Sequence, residues 1–378
     1  MVSTKKDPVL AVLSLSGGND GLNTVIPRNS GLYRDFRPTL GIAEDQIIPI
    51  NDDLGLHPAM GPLKKFWDQG KLAIFLGIGY ATPSYSHFRS MDIWHTCEPD
   101  TIGTEGWLGR VIKDLDPSGE NVLTGVNFGR GLPRALAKDG VPVASVGNLE
   151  TYGLLTGIEG ESQRNEALDV FGKMYSPAMG RGAVLDYIHR TGTDALKGAD
   201  ILATAPDKYS STVEYSNTTV GQYMRNIAQT HLADFGTRIL YTTSPYNSFD
   251  THANQGQLHG GLWSDVSNTV ENFFDDLHEH DAADNVTLFM FTEFGRRITD
   301  NGSGTDHGAS GIAFAVGDHV KGGIYGEYPS LELNQQEEGG NLKSSMDFRQ
   351  VYVSILEDWL HLDATPIIGG KFEPVKFF

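Results

Sequence analysis

The chain has 378 residues, 39% of them hydrophobic, which is enough apolar material for a large α/β domain and excludes disorder of the whole chain. Its 29 basic and 48 acidic residues give a net charge of −19, so its surface repels phosphate backbones and anionic lipid. Nucleic acid and membrane surfaces are therefore excluded as expected partners. Cys97 is the only cysteine, which rules out an intrachain disulfide and a thiolate metal cluster.

The first third of the chain alternates between strand and helix patterns. The predicted elements are, in order, a buried strand at 8–16, a helix at 57–70, a second buried strand at 71–80 and a helix at 86–96. This order is typical of an α/β protein with a parallel sheet.

The middle of the chain, about 98–235, is less regular. It contains a glycine-rich stretch, and helical patterns follow at 162–174, 182–200 and 212–233. No linker or change in composition marks a boundary. We therefore predict a single domain over 1–378 that carries a mostly helical insertion at about 98–235.

The last third returns to alternating strands and helices. Strands are predicted at 237–243, 285–291 and 311–317, a helical stripe runs from Leu262 to Leu277, and an amphipathic helix closes the chain at 345–362.

Acidic, hydroxyl and imidazole side chains lie beside the strands of this predicted sheet. They are Asp20 after the first strand, Ser84, Ser86 and His87 after the second, Asp250 and His252 after the third, Glu293 at the end of the fourth, and Asp306 and His307 before the last. Because ligands bind at the carboxyl ends of parallel strands, we expect these groups to converge. Carboxylates and imidazoles together suit a divalent cation, and two cations about 4 Å apart could clamp a phosphoryl or sulfuryl group.

Each segment alone has an ordinary explanation. The sequence GGND at 17–20 is compatible with a simple turn, and acids at strand ends are commonly solvated or cap helices. Ser86 could do no more than cap the helix that follows it, with His87 packing against its neighbours.

Six segments carry a family resemblance: GGNDGLNTVIP, SHFRSMDIWHT, GWLGR, FDTHANQGQLH, TEFGRR and GTDHG, in this order. Together they resemble the bacterial domain-of-unknown-function family 1501, which is grouped with the alkaline phosphatase, sulfatase and phosphoglycerate mutase superfamily. The resemblance implies an alkaline phosphatase-like fold, which is a doubly wound, mainly parallel sheet with helices on both faces. It also implies a metal site at the strand ends, but no established substrate.

The resemblance also implies roles for individual residues. Asp20 stands where the superfamily has its first metal-binding acid, and Ser86 stands near the nucleophile position. The remaining implied metal ligands are Asp250, His252, Glu293, Asp306 and His307. The expected cofactor is one or two divalent ions, Zn²⁺, Ca²⁺, Mg²⁺ or Mn²⁺.

Two departures from the superfamily pattern bear on the metal. Phe294 replaces the second histidine of the late pair, and the usual Asp-x-x-x-His spacing is shortened to Asp250-x-His252. One cation would then have only oxygen ligands, from Asp20, Glu293 and Ser86, which favours Ca²⁺, Mg²⁺ or Mn²⁺ there.

Ser86, His87 and Arg296 are the catalytic candidates. If Ser86 attacks, a cation must lower the pKa of its hydroxyl, and His87 could stabilise the developing charge or protonate the leaving group. Arg296 is a candidate to neutralise a bound anion, as are Arg89 and Arg297, although a structural ion pair is an equal explanation for each.

The sequence thus predicts a metal-dependent hydrolase that acts on a small anionic substrate, a phosphate or sulfate ester, with serine or a metal-bound water as nucleophile. The alternative is an inactive metal-binding or scaffold member of the same fold, and nothing selects the isomerases or phosphomutases that the superfamily also contains. As written, the chain is predicted to be cytoplasmic, or exported if a leader was removed, as in many relatives. The sequence does not determine the oligomeric state, and a homo-oligomer is compatible with it.

Overall fold

The computed structural model describes residues 6–149, 161–175 and 182–378. Its strands are β1 Val9–Ser14, β2 Val25–Pro27, β3 Ile48–Pro49, β4 Leu54–Leu56, β5 Leu72–Gly79, β6 Gly125–Phe128, β7 Ala144–Val146, β8 Ile239–Thr243, β9 Val286–Phe291, β10 Gly311–Val316, β11 Gly323–Tyr325 and β12 Met346–Asp347. Its α-helices are α1 Gly21–Thr24, α2 Gly31–Phe36, α3 Gly61–Asp68, α4 His87–Thr96, α5 Trp107–Leu115, α6 Glu161–Tyr175, α7 Ala183–Leu202, α8 Thr219–Leu232, α9 Gln255–Glu279, α10 Phe348–Ser354 and α11 Ala364–Ile368.

Among the described residues, nine strands form one sheet in the order β11-β5-β10-β9-β1-β8-β6-β7, with β12 also paired to β5. All pairs are parallel except those of β10, which runs antiparallel to both β5 and β9. The predicted mainly parallel sheet is confirmed, and its one reversed strand is the one predicted at 311–317. β2, β4 and β3 form a separate small antiparallel sheet.

The continuous apolar run of β1 follows from burial on both faces of the sheet. Val9, Ala11 and Leu13 point into one hydrophobic core, whereas Leu10 and Val12 point into the other. Successive side chains of a strand point to opposite faces, so a central strand with both faces covered has no polar positions.

Helices cover both faces, as predicted. One core contains apolar side chains of α3, α8 and α9, and the other contains those of α4, α5, α10 and α11. The closing helix is interrupted, because α10 ends at Ser354 and a π-helical turn spans Ile355–Trp359.

The segment 98–235 is not wholly an insertion in the structure. Its strand β6 pairs with β8, and β7 extends the same sheet. Its helices α6, α7 and α8 agree with the helical patterns, but α8 begins at Thr219 rather than 212, where the Thr218 hydroxyl accepts a hydrogen bond from the Gly221 amide. The division into one domain with an insertion remains a prediction.

Cys97 ends α4 in the left-handed conformation, with φ of 65°. Its side chain is buried, and burial raises the pKa of the thiol to about 12. It therefore packs as a small apolar side chain, as expected. None of the described helices combines the length and apolar character that crossing a bilayer requires.

Candidate metal centre and adjoining cavity

The sheet order explains how distant residues come together at one edge. β5, β9 and β8 are parallel to β1, so the residues that follow them, including His87, Glu293 and Asp250, lie at the same edge. β10 is reversed, and its beginning therefore lies at the edge where the other strands end. His307, which precedes β10, reaches the same place for this reason.

Three imidazole rings surround the carboxylate of Asp250. Its Oδ1 atom lies 3.1 Å from Nε2 of His307 and 3.0 Å from Nε2 of His252. Its Oδ2 atom lies 3.4 Å from Nε2 of His87. We call these four residues the Asp250 cluster.

The outer nitrogens of two of these rings have fixed partners. Nδ1 of His307 lies 2.8 Å from the carbonyl oxygen of Tyr85, and Nδ1 of His87 lies 2.8 Å from Oε1 of Glu293. Both partners are acceptors, so each Nδ1 donates its hydrogen to them, and the Nε2 atom of each ring is the nitrogen that faces Asp250.

This arrangement fits a cation. Nε2 of His87 is buried without a hydrogen-bond partner, and a lone pair that faces a carboxylate is unfavourable unless a proton or a cation lies between them. Among the described residues, His87, Asp250 and His307 are the group of candidate ligands whose donor atoms all lie within 4.8 Å of one another. Outer hydrogen bonds from histidine to a carboxylate or a carbonyl are also usual in metal centres.

Glu293 supports this cluster from the protein interior. Its carboxylate is 1% exposed and accepts hydrogen bonds from the Gly17 amide at 2.9 and 3.1 Å, as well as facing His87. Gly17 has φ of 120°, and a Cβ atom there would collide with the backbone of Phe249 and Asp250. The close approach of these backbones therefore requires a glycine at position 17. The motif GGND both forms a tight turn and brings the Gly17 amide to the candidate metal centre.

Arg296 lies behind Asp250 with its guanidinium fully buried. It donates to Oδ1 of Asp250 at 2.7 Å, to the carbonyls of Gly18 and Thr305 at 2.6 and 2.9 Å, and to that of Phe249 at 3.1 Å. These protein acceptors occupy the guanidinium, so it is placed to hold Asp250 rather than to contact a substrate.

The charges in the cluster act on each other. Burial raises the pKa of the Asp250 carboxyl, but the hydrogen bond and charge of Arg296, with help from His307, outweigh burial and leave the pKa below its usual range. The hydrogen bond to Glu293 raises the pKa of His87 above its usual value despite burial of the ring. Asp250 is therefore a carboxylate at neutral pH.

Two predicted site residues lie at the margin. The carboxylate of Asp306 is half exposed, and its Oδ1 atom lies 3.4 Å from Nδ1 of His252, on the side away from Asp250. Ser86 is exposed, and its side chain makes no capping hydrogen bond at the start of α4. Ser86, His87 and Glu293 together line a cavity of about 590 Å³.

Asp20 is not brought to the cluster. Its carboxylate is fully buried, accepts two hydrogen bonds from Arg37 at 2.6 and 3.0 Å, and accepts a third from Gln255. Burial raises the pKa of Asp20, but the charge and hydrogen bonds of Arg37 outweigh it and lower the pKa overall. Its contacts therefore do not support the predicted role as a metal ligand.

The expected oxygen-only cation site does not form from the described residues. Asp20 is neutralised by Arg37, Glu293 is occupied by Gly17 and His87, and Ser86 is exposed. The contacts support a single cluster that is richer in nitrogen than the sequence indicated.

Sequence reasoning missed three partners. Arg37 neutralises Asp20, the main-chain carbonyl of Tyr85 orients His307, and the Phe294 ring packs 4.9 Å from the rings of both His87 and His307. The sequence alone shows Phe294 only as the replacement of a histidine. No pattern in the sequence links Arg37 to Asp20. Every residue has a main-chain carbonyl, so the sequence cannot indicate that the carbonyl of Tyr85 accepts from His307.

Residues 172–350 match the model of a family described as protein of unknown function (DUF1501). The family resemblance predicted from the sequence is confirmed over these residues. The DUF1501 segment contains Asp250, His252, Glu293 and His307, whereas His87 reaches the cluster from outside it. No curated protein matches this chain in sequence.

Several solved structures are similar to this one at low identity. A protein of the alkaline phosphatase superfamily from Vibrio parahaemolyticus is 10% identical with a TM-score of 0.42, over 97% of this chain and 69% of that one. The C-terminal periplasmic domain of EcEptC from Escherichia coli is 8% identical with a TM-score of 0.43, over 97% and 88%. A putative sulfatase from Bacteroides thetaiotaomicron is 10% identical with a TM-score of 0.36, over 98% and 76%.

Proposed function

We propose that this protein is a metal-dependent hydrolase of phosphate or sulfate esters and that the Asp250 cluster holds its cation. The single observation that carries the proposal is the convergence of the Nε2 atoms of His87, His252 and His307 on one carboxylate. The family resemblance of the motifs supports the reaction class.

The donor set determines which cation is favoured. Three imidazole nitrogens and one carboxylate oxygen suit Zn²⁺, and they suit Ca²⁺ and Mg²⁺ poorly because these prefer oxygen ligands. His87, Asp250 and His307 would hold the ion, and the more exposed His252 would complete the set. When bound, the cation would act as a Lewis acid on an ester oxygen and would neutralise the negative charge on that oxygen.

The chain's own residues prepare this centre. Glu293 and the Tyr85 carbonyl keep hydrogens on the outer nitrogens of His87 and His307, which leaves both Nε2 atoms free to bind. Arg296 keeps Asp250 ionised and fixes its orientation through Oδ1.

Ser86 is the hydroxyl that we place beside the ester. It precedes the candidate ligand His87 directly and lines the same cavity. Its hydroxyl is not committed to capping α4, so it is free to meet a substrate. A water molecule is the alternative nucleophile, and Ser86→Ala distinguishes the two.

The test is metal content together with turnover. The purified protein is analysed for divalent ions, reloaded with Zn²⁺ or Mn²⁺, and assayed with 4-nitrophenyl phosphate and 4-nitrophenyl sulfate. We expect turnover of one ester that His307→Ala abolishes and His278→Ala leaves unchanged, since His278 lies on α9 and pairs with Asp318. Loss of turnover in Ser86→Ala with metal retained assigns the serine as nucleophile.

Two outcomes would overturn the proposal. Absence of any bound divalent ion under saturating conditions contradicts the metal centre itself. Bound metal without turnover of either ester favours the inactive, metal-binding alternative.

A further inference from the structure

The cavity beside the Asp250 cluster has its own chemical character. It lies beyond the ends of β1 and β8, encloses about 590 Å³, shares His87 with the cluster and is also lined by Glu293, which supports the cluster. This volume falls within the range of small-molecule sites, about 300–1,000 Å³. It is much larger than an inorganic phosphate or sulfate needs, so the space serves some other part of a ligand.

Large, exposed apolar side chains line this cavity. Phe88 on α4 is 79% exposed, Ile102 is 77% exposed and Tyr246 is 74% exposed, and the three come from separate segments of the chain. Met91 and Pro133 extend the same lining. Convergence of exposed apolar side chains on one cavity marks a ligand surface better than scattered exposure does.

The charged groups in the wall are already paired. Asp92 accepts from Arg89 at 2.5 Å and from Arg134 at 2.8 Å. The remaining hydrogen bonds of these arginines go to main-chain carbonyls, among them those of Pro99 and Gly103. The two guanidinium groups share one carboxylate, so the wall keeps one net positive charge, but the N–H groups that carry it are engaged by Asp92 and by main-chain carbonyls.

A few buried polar groups also line the cavity. Tyr241 and His95 are buried and hydrogen-bonded to each other at 3.1 Å, and both line the cavity. The side-chain oxygen of Asn247 is buried and has no hydrogen-bond partner among the described residues, so it can accept from a ligand hydroxyl or N–H group.

We propose that this cavity holds the organic group of the ester and that this group is an uncharged aromatic ring system. The inference rests on the proposed function for the reaction, but the cavity's preference is a property of Phe88, Ile102 and Tyr246 and does not depend on a cation. The preferred substrates are then aryl esters, with the anionic group at the Asp250 cluster and the rings between the apolar side chains. Sugar esters, whose many hydroxyls need more hydrogen-bond partners, are disfavoured.

The test measures binding of the alcohol product rather than turnover. 1-Naphthol is titrated into the full-length protein as purified and followed by its fluorescence, with methyl glucoside as competitor. We expect saturable binding of naphthol and no displacement by the sugar. The double variant Phe88→Ala/Tyr246→Ala should raise the dissociation constant about tenfold, because two ring contacts are lost.

A matched control guards against general surface effects. Leu333 is 76% exposed and does not line the cavity, so Leu333→Ala should bind naphthol like the unmodified protein. All three truncated side chains are exposed, so loss of folding is not expected, and circular dichroism checks this. Unchanged naphthol binding in the double variant, or tighter binding of the sugar, would overturn the inference.

Failure here and failure of the proposed function give different results. Naphthol binding that depends on Phe88 and Tyr246, without turnover of any ester, supports the cavity assignment and contradicts the hydrolase. Turnover of phosphate or sulfate esters with no naphthol binding contradicts the cavity assignment alone.

Discussion

His252 and His307 face each other with their Nε2 atoms 3.0 Å apart, and both atoms lie within 3.1 Å of Oδ1 of Asp250. Imidazole lone pairs and a carboxylate oxygen repel one another at these distances unless a proton or a cation lies among them. A proton satisfies one pair of these atoms, whereas a cation satisfies all three at once.

Removing a ligand from this cluster should therefore abolish tight metal binding. We expect Asp250→Asn and His307→Ala each to weaken Zn²⁺ binding by roughly 100-fold or more, beyond the 10- to 100-fold effect usual for supporting residues. Competition with a chromophoric chelator measures the affinity. His278→Ala replaces a histidine outside the cluster, and an equal loss of affinity in that control would refute a specific site.

Glu293 should matter through His87 rather than by touching the ion. Glu293→Gln keeps the size of the side chain but removes the charge that orients His87 and places an NH₂ group where the Gly17 amide donates. We expect a 10- to 100-fold loss of Zn²⁺ affinity. Glu271→Gln, at a surface pair with Lys65, is the matched control and should leave the affinity as it is. Equal Zn²⁺ affinities of Glu293→Gln and Glu271→Gln would contradict the supporting role of Glu293.

Arg296 should be needed for stability as well as for the site. Lysine has three donors on a compact head and cannot reach the carbonyls of Gly18, Thr305 and Phe249 as well as Asp250. We expect Arg296→Lys to lower the free energy of unfolding by about 3–5 kcal/mol, because each buried carbonyl that loses its donor costs about 1–3 kcal/mol. Urea denaturation measures the change. Arg34→Lys, at an exposed pair with Glu44, should cost about 0–1 kcal/mol, and a similar cost at both positions would contradict the prediction.

The buried pair of Asp20 and Arg37 gives a direct test of whether Asp20 is structural. Arg37→Met leaves an uncompensated buried carboxylate and should lower the free energy of unfolding by about 3–5 kcal/mol. The double variant Asp20→Leu/Arg37→Met should recover most of that loss, because an apolar pair needs no solvation. Urea denaturation is again the measurement.

Metal content of the double variant completes that experiment. With Asp20 outside the Asp250 cluster, the folded variant should bind Zn²⁺ with unchanged stoichiometry. Loss of one ion per chain would instead support Asp20 as a metal ligand, as the sequence predicted.

Acid should destabilise the fold partly through His95. Burial lowers the pKa of His95 from 6.5 to about 3, so below pH 6.5 the unfolded chain binds a proton that the folded chain does not. The stability that this residue contributes is therefore complete above pH 6.5 and declines as the pH falls towards 3, by up to about 1.4 kcal/mol per pH unit. His95→Gln can keep the hydrogen bond to Tyr241 but does not titrate.

The measurement is the free energy of unfolding at several values between pH 5 and 7. The unmodified protein should lose up to about 2 kcal/mol more than His95→Gln between pH 6.5 and 5. Parallel curves for the two proteins would contradict a neutral, buried His95.

Much of the sheet could be predicted because its strands are strong local signals. The apolar runs at 8–16, 71–80 and 285–291 correspond to β1, β5 and β9 with shifts of one or two residues at their ends. β6 and β7 were missed, since they are short and lie in a glycine-rich stretch, and their strand conformation depends on pairing with β8 rather than on their own residues.

The candidate site could be predicted in composition but not in connectivity. The proximity of Asp250, His252 and His307 follows from their positions beside the strands. The contact of His87 with Glu293 and the contact of Asp250 with Arg296 do not follow from those positions. Asp20 illustrates the limit, because an acid after a first strand looks the same in a sequence whether it binds a metal or an arginine. Only the tertiary structure brings Arg37, which directly follows α2, to the carboxylate of Asp20.

The burial of Cys97 gives the protein a built-in reporter. A thiol reagent reacts with the ionised sulfhydryl, and here that group is both covered and held in its protonated form. Labelling in native buffer must therefore wait until the chain around the end of α4 opens. Because Cys97 is the only cysteine in the sequence, the labelling rate measures how often the structure around this one residue opens.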